Sequence, residues 1–103
     1  MNVGERDELI FKIYMTQKRD WGESLLGETV KSVGFDRIEY GSLPNGIDMN
    51  AVLVMNDFEL NRLAASMGIL KAPTGAKADV YIDGAGYSLK SSAAGAAAID
   101  FNE

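Results

Sequence analysis

The sequence contains no cysteine and no histidine. Without cysteine the chain cannot form a disulfide bond, a thiolate zinc site or a cysteine nucleophile, and without histidine it lacks the most frequent general base and metal ligand. Serine–histidine chemistry is therefore excluded. Any catalysis must use carboxylates, lysine, tyrosine or hydroxyl groups, together with a hard cation such as Mg²⁺ that prefers oxygen ligands.

Long apolar runs and an excess of basic residues are also missing. No stretch has the length of a membrane span, and the opening residues MNVGERDEL lack the apolar segment of a signal peptide. We therefore expect a cytoplasmic protein with no membrane partner. The net charge of −5 disfavours nonspecific attraction to nucleic acid, although a local basic patch can oppose this average.

The 103 residues suffice for one domain with a small core, and an apolar content of 47% is typical of a folded protein. Hydrophobic periodicity and turn residues predict a single α+β domain over residues 1–103. The last segment, Ser91–Glu103, is compatible with a weak helix, a strand or a tail. The other predicted elements are helices over 5–18 and 23–33, strands over 35–40 and 51–55, a helix from its N-cap Asp57 to Met67, and a hairpin over 77–90.

The hairpin segment KADVYIDGAGYSLK carries chemistry-bearing residues on one of its two faces. With Gly84-Ala85 as the turn, Asp79 lies directly opposite Lys90, and Ser88 shares their face. The opposite face is apolar and is predicted to contact the core. One interpretation is an exposed cross-strand ion pair, worth roughly 0.2–1 kcal/mol. The other is an active site in which Asp79 binds a divalent metal and Lys90 orients or activates a water molecule.

Asp79 followed by Ser88-Leu-Lys90 resembles the PD-(D/E)xK nuclease signature of type II restriction endonucleases. In that signature an aspartate on one strand is followed on the next strand by acid-x-lysine. The longer segment KAPTGAKADVYIDGAGYSLKSSAAG is similar to the KADV…GxSxKS…G pattern of restriction enzymes that replace the second acid with a small polar residue. The opening GERDEL resembles the N-terminal helix that often contributes a glutamate, which points to Glu5 or Glu8.

The resemblance implies a small mixed sheet with a central hairpin flanked by two or three helices, a restriction-endonuclease-like core that is minimal or truncated. It further implies a DNA endonuclease dependent on Mg²⁺ or Mn²⁺. In this interpretation Asp79 is a metal ligand, Ser88 replaces the second acid, and Lys90 lies near the attacking water. Glu5 or Glu8 supplies a further metal ligand, and the chain acts as a homodimer or as part of a larger assembly.

The loop before the hairpin contains two lysines, Lys71 and Lys77. They are candidate contacts to DNA phosphates, or they are solvated side chains of a mobile connection. The competing hypothesis for the whole chain is a non-catalytic α+β module that binds a protein or nucleic-acid partner. Stabilisation by Mg²⁺ or Mn²⁺ would distinguish the two, because a ligand that binds the native state raises its stability.

Overall fold

A computed structural model describes residues 1–22, 24–25, 28–71, 73–91 and 97–101. Over these residues the chain combines three helices with antiparallel strands, which confirms the α+β class. The helices are α1 (Val3–Trp21), α2 (Met49–Val54) and α3 (Asp57–Ser66). The strands are β1 (Ser24–Leu25), β2 (Glu28–Thr29), β3 (Val33–Phe35), β4 (Ile38–Glu39), β5 (Val80–Ile82), β6 (Ala85–Ser91) and β7 (Ala97–Phe101).

The main sheet has the strand order β4-β3-β5-β6-β7, and β1 and β2 form a separate two-stranded ribbon. We expected a mixed sheet, but every strand pair among the described residues is antiparallel. The turns and longer loops that connect the strands of each pair reverse the direction of the chain. A parallel pair would instead need a crossover connection. The hairpin formed by β5 and β6 lies inside the sheet, as predicted.

Helix α1 packs against β3, β6 and β7 and also contacts α2 and α3. One hydrophobic cluster joins the helices to the sheet, so the core lies between them. Its most buried members include Ile13 and Met15 of α1, Val52 of α2, Leu60 of α3, Val33 of β3 and Val80 of β5. No helix in the described part of the chain is both long enough and apolar enough to span a membrane.

The register of the β5–β6 hairpin differs from the predicted one by two residues. Val80 pairs with Tyr87 and Ile82 with Ala85, so the turn is Asp83-Gly84. Asp83 has φ 51° and Gly84 has φ 85°, which are the positive values that a type I′ turn requires. Asp-Gly favours this turn more strongly than Gly-Ala does. Because the shift is two residues, each side chain keeps its predicted face, but its cross-strand partner changes.

The first helix was predicted correctly and is longer at both ends than expected. Asn2 caps it by accepting a hydrogen bond from the Glu5 N–H at 2.8 Å, and Gly22 ends it with φ 69°. Helix α3 was also predicted, but its N-cap is Asn56 rather than Asp57. Asn56 and Glu59 form a capping box in which each side chain accepts from the other residue's N–H.

Two predicted elements were wrong. Within the helix expected over 23–33, the described residues 24–25 and 28–29 lie in β1 and β2, and Val33 begins β3. The β-branched residues of the segment 23–33 favour strands. The helical spacing of its leucines nevertheless suggested a helix. The segment 51–55, expected as a strand, lies largely in helix α2. Asp48 is the N-cap of this helix, and its Oδ1 accepts a hydrogen bond from the Ala51 N–H at 2.8 Å. A short apolar run alone does not distinguish a strand from a helix.

The structure also divides one predicted strand and decides between the alternatives for the last segment. The strand expected over 35–40 is interrupted by a turn at Asp36-Arg37, where Asp36 has φ 53°, and β4 follows it. Of the alternatives for residues 91–103, the strand holds for the part that the structure describes, since β7 pairs with β6.

Candidate active site

Asp79 lies immediately before β5 and is fixed to the neighbouring strand by two hydrogen bonds. Its backbone N–H donates to the Tyr87 carbonyl at 2.8 Å. Its carboxylate Oδ2 accepts from the Leu89 N–H at 2.8 Å. The side chain is half-buried. The hairpin therefore holds the carboxylate in one position at the point where β5 and β6 open.

The structure places Ser88 and Lys90 differently from the prediction. The register pairs Val80 with Tyr87, and the Asp79 N–H donates to the Tyr87 carbonyl, so Lys90 does not lie opposite Asp79. The direct pairing of Asp79 with Lys90 was therefore wrong, because the turn is Asp83-Gly84. Lys90 lies in β6 opposite Ala98, and its side chain is outside the part of the structure that is described.

The Ser88 hydroxyl has a structural partner. Its Oγ donates a hydrogen bond to the Lys77 carbonyl oxygen at 3.0 Å. This bond holds the loop before β5 in contact with β6. Ser88 thus stabilises the segment that carries Asp79, and its hydroxyl proton is already directed at a backbone oxygen.

Helix α1 brings Glu8 towards Asp79. Burial raises the pKa of Glu8 above its usual value, and the negative charge of Asp79 raises it further. The charges of Lys12 and Lys71 act in the opposite direction. Because the charge of Asp79 contributes to the raised pKa of Glu8, the two carboxylates from distant parts of the sequence interact electrostatically.

The other predicted helical ligand, Glu5, has a role at the start of the helix. Its Oε1 accepts a hydrogen bond from Asn2 Nδ2 at 3.0 Å, while its own N–H donates to Asn2 Oδ1. This contact ties the Glu5 carboxylate to the N-cap of α1. Among the residues that the structure describes, no three acidic side chains lie close enough together to form a metal-binding group.

Lys12 is the site residue that the sequence interpretation missed. Only 1% of it is exposed, although it is charged and lies one helical turn after Glu8. Burial lowers its pKa, and the carboxylates of Glu8 and Asp79 oppose that shift. The available signal was the position of a lysine between Phe11 and Ile13, within the apolar face of the predicted helix. A Glu–Lys pair at this spacing is otherwise typical of an exposed helix surface.

A cavity of about 380 Å³ lies between α1 and α3 beside this cluster. Glu5, Glu8 and Lys12 line it from α1, together with Asn61 from α3 and Lys71 from the following loop. Lys71, one of the two predicted DNA contacts, therefore lies near Glu8, and its charge acts to lower the pKa of Glu8.

The second predicted DNA contact, Lys77, is exposed. It does not line the cavity between α1 and α3. Its backbone carbonyl supports Ser88. The structure therefore brings only one of the two loop lysines to the carboxylate pair.

Tyr40 completes the surroundings of Asp79. It is 3% exposed, and within the described residues its hydroxyl has no hydrogen-bond partner. Burial and the charge of Asp79 raise the pKa of Tyr40 to about 12. The phenol therefore stays protonated at neutral pH, which makes it unsuited to act as a general base.

Glu8 and Asp79 carry the type of ligand that Mg²⁺ and Mn²⁺ prefer. Both side chains offer carboxylate oxygens, and Mg²⁺ is commonly held by one or two protein carboxylates, with water and substrate phosphate in its other positions. A cation between them would also relieve the repulsion that raises the pKa of Glu8.

The cluster of Glu8, Lys12 and Asp79 is thus assembled from the first helix and the opening of the central hairpin. Comparisons of the chain with protein-family models, with curated proteins and with solved structures find no match. The chemistry of this cluster is consequently the basis for inferring a function.

Proposed function

We propose that this chain hydrolyses phosphodiester bonds of DNA with the help of Mg²⁺ or Mn²⁺, on a core related to that of type II restriction endonucleases. The observation that carries the proposal is the electrostatic coupling of Glu8 and Asp79, with the buried Lys12 in the same cluster. A carboxylate whose pKa is perturbed by burial and by a specific charge, as that of Glu8 is, is a candidate for a functional site.

Each residue has a distinct role in this proposal. Glu8 and Asp79 would hold the cation, and the bond from the Leu89 N–H orients the Asp79 carboxylate for this purpose. When bound, the ion neutralises charge that develops on the phosphate and lowers the pKa of its water. Ser88 positions Asp79 indirectly by holding the preceding loop against β6. A role for Lys90 near the attacking water stays a prediction that the resemblance implies.

Glu8 takes the role of the second acid in this scheme. The signature position is occupied by Ser88, whose hydroxyl is hydrogen-bonded to the Lys77 carbonyl. Since α1 supplies a carboxylate that interacts with Asp79, the proposed site has two acids even though a serine occupies the second acid position of the signature. This assignment selects Glu8 over Glu5, which is hydrogen-bonded to Asn2.

Cleavage of plasmid and single-stranded DNA tests the proposal. With Mg²⁺ or Mn²⁺ we expect nicking or cutting by the wild type, and a loss of more than about 100-fold in Glu8→Gln and Asp79→Asn, because each change removes a direct ligand. Both substitutions preserve side-chain size. The matched control is Asp36→Asn, which removes an exposed carboxylate from the other hairpin turn and should cut normally.

Two results would contradict the proposal. One is a wild-type protein that cuts no DNA with either cation and gains no thermal stability from them. The other is full activity in both ligand variants, with folding matched by circular dichroism. The first result would favour the alternative of a binding module, which has its own support in Leu53, Val54 and Phe58. These apolar side chains of α2 and α3 are 53%, 83% and 68% exposed.

A further inference from the structure

Trp21 is the single tryptophan of the chain, and it ends α1 with 67% of its surface exposed. Two other exposed aromatic rings on helices are each covered by a cation of the same chain. Lys18 Nζ lies 4.9 Å from the centroid of the Tyr14 ring. The Arg62 Cζ lies 5.8 Å from the centroid of the Phe58 ring. Among the described residues no cation covers Trp21 in this way, so its indole, the ring that attracts cations most strongly, is open to a cation from another molecule.

A pocket of about 320 Å³ lies beside Trp21, between the last turns of α1 and the loop 42–47. Leu43 and Ile47 line it from the loop with half-buried apolar side chains, and Gln17 lines it from the helix. Gln17 is only 6% exposed, so the small part of it that solvent reaches faces this pocket. No hydrogen bond joins its amide to another residue of the described chain. The amide is therefore available to a ligand.

The loop that forms the second wall of the pocket is fixed by backbone hydrogen bonds. At its start the Gly41 N–H donates to the Met67 carbonyl at 2.7 Å. Further along, the Ile47 N–H donates to the Pro44 carbonyl at 3.2 Å and closes a turn in which Gly46 has φ 87°. A positive φ at this third position is what a type II turn requires. Because the wall is already ordered, a ligand that enters the pocket has little ordering entropy to overcome.

The charged groups at the pocket carry an excess of negative charge. Of the described residues that line it, Asp20 alone is ionisable, and it pairs with Arg19 Nε at 3.0 Å. The same guanidinium pairs with Glu39 at 2.7 Å, and the hydrogen bonds to Glu39 lower the pKa of that carboxyl and keep it ionised. One cation and two carboxylates leave this cluster with a net charge of −1. The pocket therefore disfavours a phosphate and favours a cationic ligand.

We propose that this pocket binds an arginine side chain presented by a peptide segment of a partner protein. The planar guanidinium stacks on the Trp21 indole, and its donors reach the Asp20 carboxylate and the Gln17 amide oxygen. Lysine offers a compact point charge, which does not match a ring face and two acceptors at once. The net charge of −5 favours the approach of a basic partner. Since Gln17 lies about 14 Å along α1 from Glu8, the inference does not rest on the proposed nuclease function.

Blocked pentapeptides with a single arginine at the centre, between glycine and alanine residues, provide the test. Matched peptides carry lysine or the uncharged isostere citrulline at the same position, and deoxyadenosine represents a base that stacks without a positive charge. Because Trp21 is the single tryptophan, its fluorescence reports binding directly. We expect the arginine peptide to quench it with a Kd of about 1 mM at low salt, and the citrulline peptide to bind about tenfold more weakly. The lysine peptide should lie between them.

Variants locate the binding in this pocket. Asp20→Asn removes the charge and keeps the shape of the side chain, and Gln17→Met removes the amide and keeps its length. Each should weaken binding of the arginine peptide by about tenfold. The control is Asp36→Asn, which changes the net charge equally at an exposed residue outside the pocket and should bind as the wild type does.

The contribution of the ring needs a readout that does not depend on tryptophan. Saturation-transfer NMR of the arginine peptide should show no binding to Trp21→Ala. Phe58→Ala should bind normally, because it removes a ring that is equally exposed, at 68%, but lies outside the pocket.

Several results would overturn the inference. Equal binding of the arginine and citrulline peptides would show that charge is not recognised, and equal binding of the lysine peptide would refute the choice of arginine. Tighter binding of deoxyadenosine would assign the pocket to a nucleobase instead. Unchanged Trp21 fluorescence with about 10 mM arginine peptide would refute binding altogether, whether or not the protein cleaves DNA. If Gln17→Met does not fold, Asp20→Asn and Trp21→Ala still decide the question.

Discussion

Lys12 and Tyr40 are polar side chains buried beside Asp79, and both oppose stability. The lysine is desolvated, and the tyrosine hydroxyl has no partner among the described residues. Folded proteins rarely retain such groups without compensation, since an unpaired buried polar group is unfavourable by about 1–3 kcal/mol. Proteins often accept this loss where a functional site requires it. The surroundings of Asp79 are therefore where stability and activity are expected to conflict.

Tyr40→Phe separates those two effects at a single residue. It removes the unpaired hydroxyl and preserves the ring, so we expect the free energy of unfolding to rise by about 1 kcal/mol. Urea denaturation followed by circular dichroism measures the change. Tyr14→Phe is the matched control, because that side chain is 38% exposed and its substitution should change stability by less than about 0.5 kcal/mol. Lower stability in Tyr40→Phe would mean that the hydroxyl is satisfied in solution.

At the scale of elements, sequence patterns predicted those parts of the fold that have strong local signals. Helix α1 has a long apolar periodicity, and α3 has a capping sequence followed by another apolar face. The hairpin was identified by its alternation, but its turn was misplaced because Asp83-Gly84 and Gly84-Ala85 overlap. Helix α2 was mistaken for a strand because its short apolar run fits either structure until Asp48 caps it.

The close approach between β3 and β4 is an element-scale feature that no local pattern indicates. A Cβ atom added at Gly34 would lie 2.0 Å from the Ile38 carbonyl oxygen, which is backbone and cannot move aside without breaking the pairing. Glycine is therefore required where Gly34 pairs with Glu39.

Gly34→Ala should consequently destabilise the protein by about 4 kcal/mol or prevent folding, as expected for a severe backbone clash. The control is Gly41→Ala, where the added Cβ would make an ordinary 3.5 Å contact with Met67, so its effect should stay within about 1 kcal/mol. Thermal unfolding of both variants gives the comparison. Equal melting temperatures for the two would show that the β3–β4 ribbon can separate without loss of the fold.

At the scale of the whole molecule, the position of α1 determines the candidate site, and arginines fix both of its ends. Arg6 donates to the carbonyl oxygens of Leu53 and Met55 and pairs with Asp57 at 3.1 Å, which ties α1 to α2 and α3. Near the other end, Arg19 donates to the Tyr40 carbonyl at 2.7 Å. These contacts hold the helix in the place from which its side chains reach Asp79.

This long-range docking explains how much of the site could be predicted. The hairpin pattern proposed Asp79, and the acidic start of the helix offered Glu5 or Glu8; the role of each as a metal ligand stays a prediction. Lys12 had one local signal, its position between Phe11 and Ile13, but its place beside Asp79 depends on which face of α1 packs against the hairpin. The expected role of Lys90 as the partner of Asp79 failed for a local reason, since a turn displaced by one residue shifts the register by two.

The ion pair between Arg19 of α1 and Glu39 of β4 also predicts how stability depends on pH. Glu39 accepts hydrogen bonds from Ser32 Oγ, the Val33 N–H and Arg19 Nη1 at 2.7, 2.9 and 2.7 Å. Burial alone would raise the pKa of Glu39, but the bonds from Ser32, Val33 and Arg19 outweigh it and lower the pKa below its usual value. A carboxylate with a lowered pKa in the folded state contributes its full stabilisation above its unfolded pKa. That stabilisation is lost as the pH falls through the folded value.

Glu39→Gln should therefore be less stable than the wild type at about pH 7, and the difference should shrink below roughly pH 4, where the wild-type carboxylate becomes protonated. Urea unfolding of both proteins across this range measures the difference, and Asp36→Asn controls for the change in net charge at an exposed position. The side chain of Glu39 is 48% exposed, so solvent screening limits the size of the effect without changing its sign. A difference that stays constant down to about pH 3 would mean that the packing of the side chain, rather than its charge, joins α1 to the edge of the sheet.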